Sequence, residues 1–221
     1  MTCKLLIFDC DGVLVDTEAV ANRYLSQVLT AAGHAVSYED CRRRFVGRTI
    51  ESIQQEVEAE SGIDLGATWP DTLREGTERA FEAGIDAIPG VEAAIHALRQ
   101  ARLPYCVASS GRFSKMRLSL GKAGLLHLVE DVLFSAELVP RGKPAPDLFL
   151  HAAAAMGAAP AEAIVVEDTV AGVTAGVAAG MRVLAYTADP HTDAAALQTA
   201  GGEPFDRMED LLLKVLGPGV T

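Results

Sequence analysis

The chain has 221 residues, enough to bury more than about two-thirds of its unfolded surface, so folding needs neither disulfides nor a structural metal. Hydrophobic residues make up 49% of it and charged residues 22%, which excludes a disordered chain. A formal net charge of −11, spread along the whole sequence, argues against a nucleic-acid partner.

No apolar run approaches bilayer-spanning length, and "MTCKLLIF" lacks a signal peptide's long apolar stretch. No membrane association and a cytoplasmic location are therefore expected, with a monomer as the default state. Cys3, Cys10, Cys41 and Cys106 fall in no zinc or C-x-x-C spacing and read as free thiols. Cys10 stands between two aspartates whose charges disfavour a thiolate, so it is not a candidate nucleophile.

The first predicted strand is "KLLIF" (4–8), and it runs into Asp9 and Asp11 with Gly12 to turn the chain. Residues 17–86 then read as helices. Val20, Tyr24, Leu25, Val28, Leu29 and Ala32 share one helical face. Ser37 and Asp40 mark a second helix start, with Gly47 as its end. Thr49 caps a third helix, which carries Ile53 and Val57 and stops at Gly62, and a fourth runs from Pro70 to Ala83.

"AIPGVEAA" (87–94) marks a return to alternating elements. Strands are predicted at "LPYCVAS" (103–109), "DVLFS" (131–135), "AIVVED" (163–168) and "RVLAYT" (182–187). Helices are predicted at 91–101, 112–123, 146–156 and 170–179. Pro146 suits a first helical turn, and Gly157 and Gly180 suit helix exits. The segments "TAGGEPFD" and "GPGVT" read as soft ends. Apolar strands alternating with helices give an α/β protein with a parallel, Rossmann-like sheet covered on both faces. The helical block is an insertion after its first strand.

Ligands of open parallel sheets bind beyond the carboxyl ends of the strands. Asp9 and Asp11 end the first strand, and Ser109, Ser110 and Gly111 end the second. Lys143 lies before a Pro-initiated helix in "RGKPAPD", and Glu167 and Asp168 end the fourth strand. Hydroxyls and N–H groups before a helix suit an anion, and the carboxylates suit a hard cation. Each piece also has a plain structural reading: "SSG" as a turn, Lys143 as a solvated side chain, "EDT" as a helix cap. An EF-hand is excluded, because its glycine belongs at the sixth loop position and here it is fourth.

The four segments, in this order, resemble the haloacid dehalogenase-like superfamily of phosphotransferases. D-x-D-G-x-x-x-D is matched by Asp9, Asp11, Gly12 and Asp16, and the Ser/Thr of the second motif by Ser109. The motif lysine is matched by Lys143 in "GKPAPDLF", and the acidic pair by Glu167 and Asp168 in "VVEDTVAGVTAGVAAGM". The resemblance is greatest to the β-phosphoglucomutase and 6-phosphogluconate phosphatase subgroup. It implies a core of residues 1–16 and 87–221 and a C1-type helical cap at 17–86 that closes over the site.

The resemblance further implies a Mg²⁺-dependent phosphatase acting on a small phosphorylated metabolite, a sugar or sugar-acid phosphate. Asp9 is then the nucleophile that forms an aspartyl-phosphate, and Asp11 the general acid and base. Asp9, the Asp11 main-chain carbonyl, Asp168 and Glu167 are the implied metal ligands, the last directly or through water. Lys143 offsets charge between Asp9 and the phosphate, which Ser109 and N–H groups near Ser110 and Gly111 hold. Asp16 braces the hinge to the cap. Arg48 is a candidate substrate contact or an exposed member of the basic run with Arg42, Arg43 and Arg44, and Arg112 is a second candidate. The histidines (34, 96, 127, 151, 191) form no cluster.

Rival readings depart from the residues. A β-phosphoglucomutase pattern places a histidine twelve residues past the nucleophile and an arginine three past the cap glycine. Here those positions hold Ala21 and Ile50. A dehalogenase has no use for an acid at Asp11. A non-catalytic phosphate-ligand-binding protein on the same fold would be expected to have lost Asp9, Asp11, Lys143 or Asp168, and none is lost.

Overall fold

The apolar runs of the sequence pair side by side, because a strand with no polar face is stable only with helices on both sides. The computed structural model describes residues 3–46 and 48–217. In chain order the elements begin with β1 (Leu5–Phe8), α1 (Thr17–Ala31), α2 (Tyr38–Phe45), α3 (Ile50–Ser61), α4 (Trp69–Ala83) and α5 (Val91–Gln100). They continue with β2 (Tyr105–Ser109), α6 (Phe113–Lys122), α7 (Leu126–Val129), β3 (Leu133–Ser135), α8 (Asp147–Ala155) and β4 (Ala163–Glu167). Last come α9 (Val170–Ala178), β5 (Arg182–Tyr186), α10 (Ala194–Thr199), β6 (Glu203–Phe205) and α11 (Leu211–Leu216).

Two compact units result. Residues up to Val15 and from Asp86 onward form one, and Asp16–Ile85 form the other. The helical unit thus begins one residue before the expected 17. The Asp16 carboxylate accepts from the Ala19 amide at 3.0 Å and caps α1, so Asp16 goes with the helix it starts. Asp86 goes with the sheet unit, where Ala87 bridges Val15 and the Ile88 amide donates to the Leu14 carbonyl.

The sheet has 6 strands in the order β3-β2-β1-β4-β5-β6, all parallel. β1 lies at the reversal of strand order, between β2 and β4, which is where such sheets open a crevice. Leu5, Ile7, Cys106, Val165 and Val183 pack with Phe149, Ala152, Val173 and Ala175 from α8 and α9. Small residues let α9 press close: a methyl built on Gly176 would lie 2.6 Å from Val183 Cγ2.

The helical unit has its own core, with Leu25 and Leu29 meeting Cys41, Phe45, Ile53, Val57, Trp69 and Leu73. Side-chain oxygens cap α2 and α3. Ser37 Oγ accepts from the Asp40 amide at 3.0 Å, and Thr49 Oγ1 from the Ser52 amide at 3.2 Å. Gly62 ends α3 in the left-handed conformation. The expected stop at Gly47 lies outside the described residues.

One expectation is corrected. "TAGGEPFD" is not a soft end, because its residues 203–205 form the edge strand β6, paired with β5. Pro204 disguised it, and an edge strand is where a sheet tolerates proline. Phe205 earns its burial against Tyr186, with ring centroids 5.2 Å apart. The short helices α7, α10 and α11 lie in segments too brief to show periodicity. Among the described residues, no helix is long and apolar enough to cross a membrane.

Gly176→Ala should destabilise the protein by about 1–3 kcal/mol, because the stiff Val183 side chain cannot move aside. Gly121→Ala, whose added methyl meets only Leu126 Cδ2 at 3.9 Å, should stabilise it by up to about 1 kcal/mol. Thermal unfolding of the two variants beside the parent checks both signs.

Candidate active site

Asp9 sits one residue past β1, and its amide still donates to the Val166 carbonyl of β4 at 2.9 Å. The ladder therefore fixes its backbone before any side chain is considered. Beyond it the chain coils tightly: Leu14 and Val15 amides both return to the Cys10 carbonyl, and Gly12 turns with φ 77°. Cys10 is buried, and burial together with the Asp11 and Asp9 carboxylates holds its thiol well above the usual range. It is inert, and the four cysteines are free thiols.

Lys143 reaches this point from the loop before α8. Its ammonium bonds Asp9 Oδ1, Glu167 Oε1 at 2.8 Å and the Ala108 carbonyl at 3.1 Å. Three N–H groups thus meet three acceptors, and the side chain is only 5% exposed. Burial by itself would lower the lysine's pKa, but the two carboxylates outweigh it and raise the pKa above the ordinary value. Burial likewise pushes the Asp9 carboxyl up, to about 7, against the opposing pull of Lys143 and with Glu167 and Asp11 adding to the rise.

Glu167 is hydrogen-bonded through both of its carboxylate oxygens. Its Oε1 accepts from Lys143, and its Oε2 accepts from the Asp168 amide, the Thr169 amide and the Thr169 hydroxyl at 2.7–2.9 Å. Thr169 in turn caps α9 through the Gly172 amide, so the buried carboxylate is held at the positive end of that helix. Both oxygens are thus engaged, and Glu167 holds Lys143 in place. Gly172 makes room for it: a methyl there would lie 1.7 Å from Glu167 Oε1.

Asp168 lies over the turn that follows Asp9. A methyl built on Gly12 would fall 2.0 Å from Asp168 Oδ2, so the glycine leaves the space this carboxylate fills. Asp11 Oδ2 accepts from Lys115 at 2.9 Å. Ser109 is buried at the tip of β2, and its Oγ accepts from the Gly111 amide at 3.0 Å. That bond occupies the Gly111 N–H expected to face a phosphate and leaves the Ser109 hydroxyl proton to be donated outward. The loop is braced from the β3 side, where Ser135 Oγ donates to the Gly111 carbonyl at 2.7 Å and Glu137 accepts from the Phe113 amide at 2.9 Å.

The two candidate arginines stand apart from these contacts. Arg112 is exposed at the N-cap of α6, and its guanidinium makes no hydrogen bond or ion pair with another described residue. Arg48 belongs to the helical unit, where Glu56 and the Ser52 carbonyl hold its guanidinium. Asp16 has Arg42 near it, at 3.9 Å. Lys115, Gly172, Ser135 and Glu137 carried no expectation. A basic residue one turn into the helix after the Ser-Ser-Gly loop was the available signal for Lys115.

Magnesium can be tested against these residues. Asp9 and Glu167 share the Lys143 ammonium, Asp11 pairs with Lys115, and Asp168 lies over the turn at Gly12. Among the described residues no three His, Cys, Asp or Glu side chains gather as a metal cluster. A set of two carboxylates, Asp9 and Asp168, with the Asp11 main-chain carbonyl needs no third side chain, since Mg²⁺ keeps several waters. The space that Gly12 leaves for Asp168 and the all-oxygen donors fit that ion.

Fold and cluster together define a parallel α/β protein with carboxylates and lysines gathered at its strand tips. Residues 3–180 match the family model of the haloacid dehalogenase-like hydrolases. The 6-phosphogluconate phosphatase of Escherichia coli (strain K12) is 37% identical over 85% of this chain and 84% of its own. Hexitol phosphatase A of the same organism is 36% identical over 87% of each chain. A HAD family hydrolase from Deinococcus radiodurans R1, solved with bound phosphate and sodium, superposes with TM-score 0.88 at 28% identity, covering 98% of this chain and 99% of that one. The chain belongs to the haloacid dehalogenase-like hydrolase family and is an enzyme.

Gly172→Ala should force the Glu167 carboxylate off Lys143 and the Asp168 and Thr169 amides. The expected result is a loss of about 1–3 kcal/mol in thermal unfolding together with reduced turnover. An unchanged melting temperature would show that Glu167 is not held there.

Proposed function

We propose that this protein is a Mg²⁺-dependent phosphatase of small phosphomonoesters, sugar or sugar-acid phosphates, acting through an aspartyl-phosphate on Asp9. One observation carries the reading: a buried carboxylate at the switch point of the sheet has one oxygen pinned by a fully bonded ammonium. With Oδ1 held by Lys143, Oδ2 is oriented as the attacking atom. The two phosphatase relatives from E. coli support the substrate class.

In the first half-reaction Asp9 Oδ2 bonds to phosphorus. The bond from phosphorus to the sugar oxygen breaks, its electron pair stays on that oxygen, and Asp11 supplies the proton. In the second half, Asp11 takes a proton from the water that attacks phosphorus, which frees Asp9 and releases inorganic phosphate. The Ser109 hydroxyl and the Ser110 amide hold phosphate oxygens, and Lys143 neutralises charge beside the reacting atoms. Asp9, Asp168 and the Asp11 carbonyl would hold Mg²⁺, which when bound would supply positive charge beside a dianionic ester. Glu167 keeps Lys143 in place.

The purified protein should release phosphate from 6-phosphogluconate, a hexitol phosphate or another member of a sugar-phosphate panel, and excess EDTA should abolish the activity. Asp9→Asn should lower turnover by at least about a thousandfold with a native circular dichroism spectrum. Glucose 1-phosphate with a trace of its bisphosphate should yield free phosphate, if it reacts at all. Rapid formation of glucose 6-phosphate instead would favour a mutase, and full turnover by Asp9→Asn would remove the nucleophile.

A further inference from the structure

Lys115 is the third residue of α6, and its ammonium lies 2.9 Å from Asp11 Oδ2 across 104 positions of sequence. The two side chains are 30% and 28% exposed, so the pair lies at an opening rather than in the core. A partly buried ion pair contributes modestly to stability, and it also restrains the geometry of both side chains.

The lysine is delivered from a well-fixed support. Met116 and Leu120 of α6 are buried, and the Glu137 carboxylate holds the Phe113 amide at the start of the helix. The Lys115 stem runs beside the Ser-Ser-Gly loop, its Cδ 3.5 Å from where a methyl on Gly111 would stand. Asp11, in contrast, follows a strand end on a side chain whose terminal torsion is intrinsically broad. An ammonium on one oxygen restricts that freedom. It does so in both protonation states, because the carbonyl oxygen of a carboxylic acid still accepts a hydrogen bond.

We propose that Lys115 is a positioning residue for Asp11, fixing Oδ2 so that the other oxygen is aimed at the departing sugar oxygen and then at water. The inference rests on the phosphatase reading above. The step itself is unchanged: the oxygen leaving phosphorus keeps the bonding pair and receives the proton from Asp11. Lys115 neither gains nor loses a proton.

The leaving group provides the test. A sugar alkoxide needs that proton, whereas p-nitrophenolate leaves readily without it. Lys115→Met should lower kcat/KM for the fastest sugar phosphate of the panel by about 10- to 100-fold, the scale of a misplaced catalytic group. With p-nitrophenyl phosphate the fall should stay under about threefold, because proton donation is then the lesser part of the barrier. Lys115→Arg, which keeps a cationic donor, should recover part of the loss on the sugar phosphate. Equal losses on both esters, or no loss on either, would overturn the proposal, with thermal unfolding run alongside. A parent enzyme that hydrolyses neither ester removes the phosphatase reading and this inference together. Activity that survives Asp9→Asn removes the aspartyl-phosphate mechanism and leaves the leaving-group comparison to judge Lys115.

Discussion

The site depends on one buried ammonium. Lys143 joins the tips of β1, β2 and β4 by donating to Asp9, the Ala108 carbonyl and Glu167. Two carboxylates so close in a low-dielectric setting repel strongly, and either alone with the lysine would leave donors or lone pairs unmet. With all three present the ammonium is saturated, Glu167 is neutralised on one side and bonded to the start of α9 on the other, and Asp9 is oriented. Structure and chemistry share the same contact.

Backbone space makes that contact attainable. Glu167 fits beneath α9 because residue 172 has no side chain, and Asp168 covers the β1 turn because residue 12 has none. These glycines act through the volume they leave empty. Gly176, further along α9, does the same for packing on β5, so the spacing of glycines along that helix serves the sheet and the site at once.

Much of this was legible in the sequence because buried parallel strands read as apolar runs, and the reactive residues stand where those runs stop. Asp9, Ser109, Glu167 and Asp168 are of this kind, whereas the role of Lys143 came from the resemblance of "GKPAPDLF" to the family motif. The rest was hidden for physical reasons. Lys115 meets Asp11 only because α6 turns that face toward the β1 tip, a relation between segments 104 positions apart. The double engagement of Glu167 depends on the Asp168 and Thr169 amides just before α9, a contact that sequence alone does not reveal. β6 was masked by Pro204, whose cost vanishes at a sheet edge.

The bridging role of Lys143 is open to direct observation by ¹H–¹⁵N NMR of the lysine ammonium groups at neutral pH. The account predicts a slowly exchanging ammonium signal that disappears in Lys143→Arg and shifts in Glu167→Gln. A Lys143 ammonium that exchanges as fast as those of surface lysines, indifferent to Glu167→Gln, would contradict it.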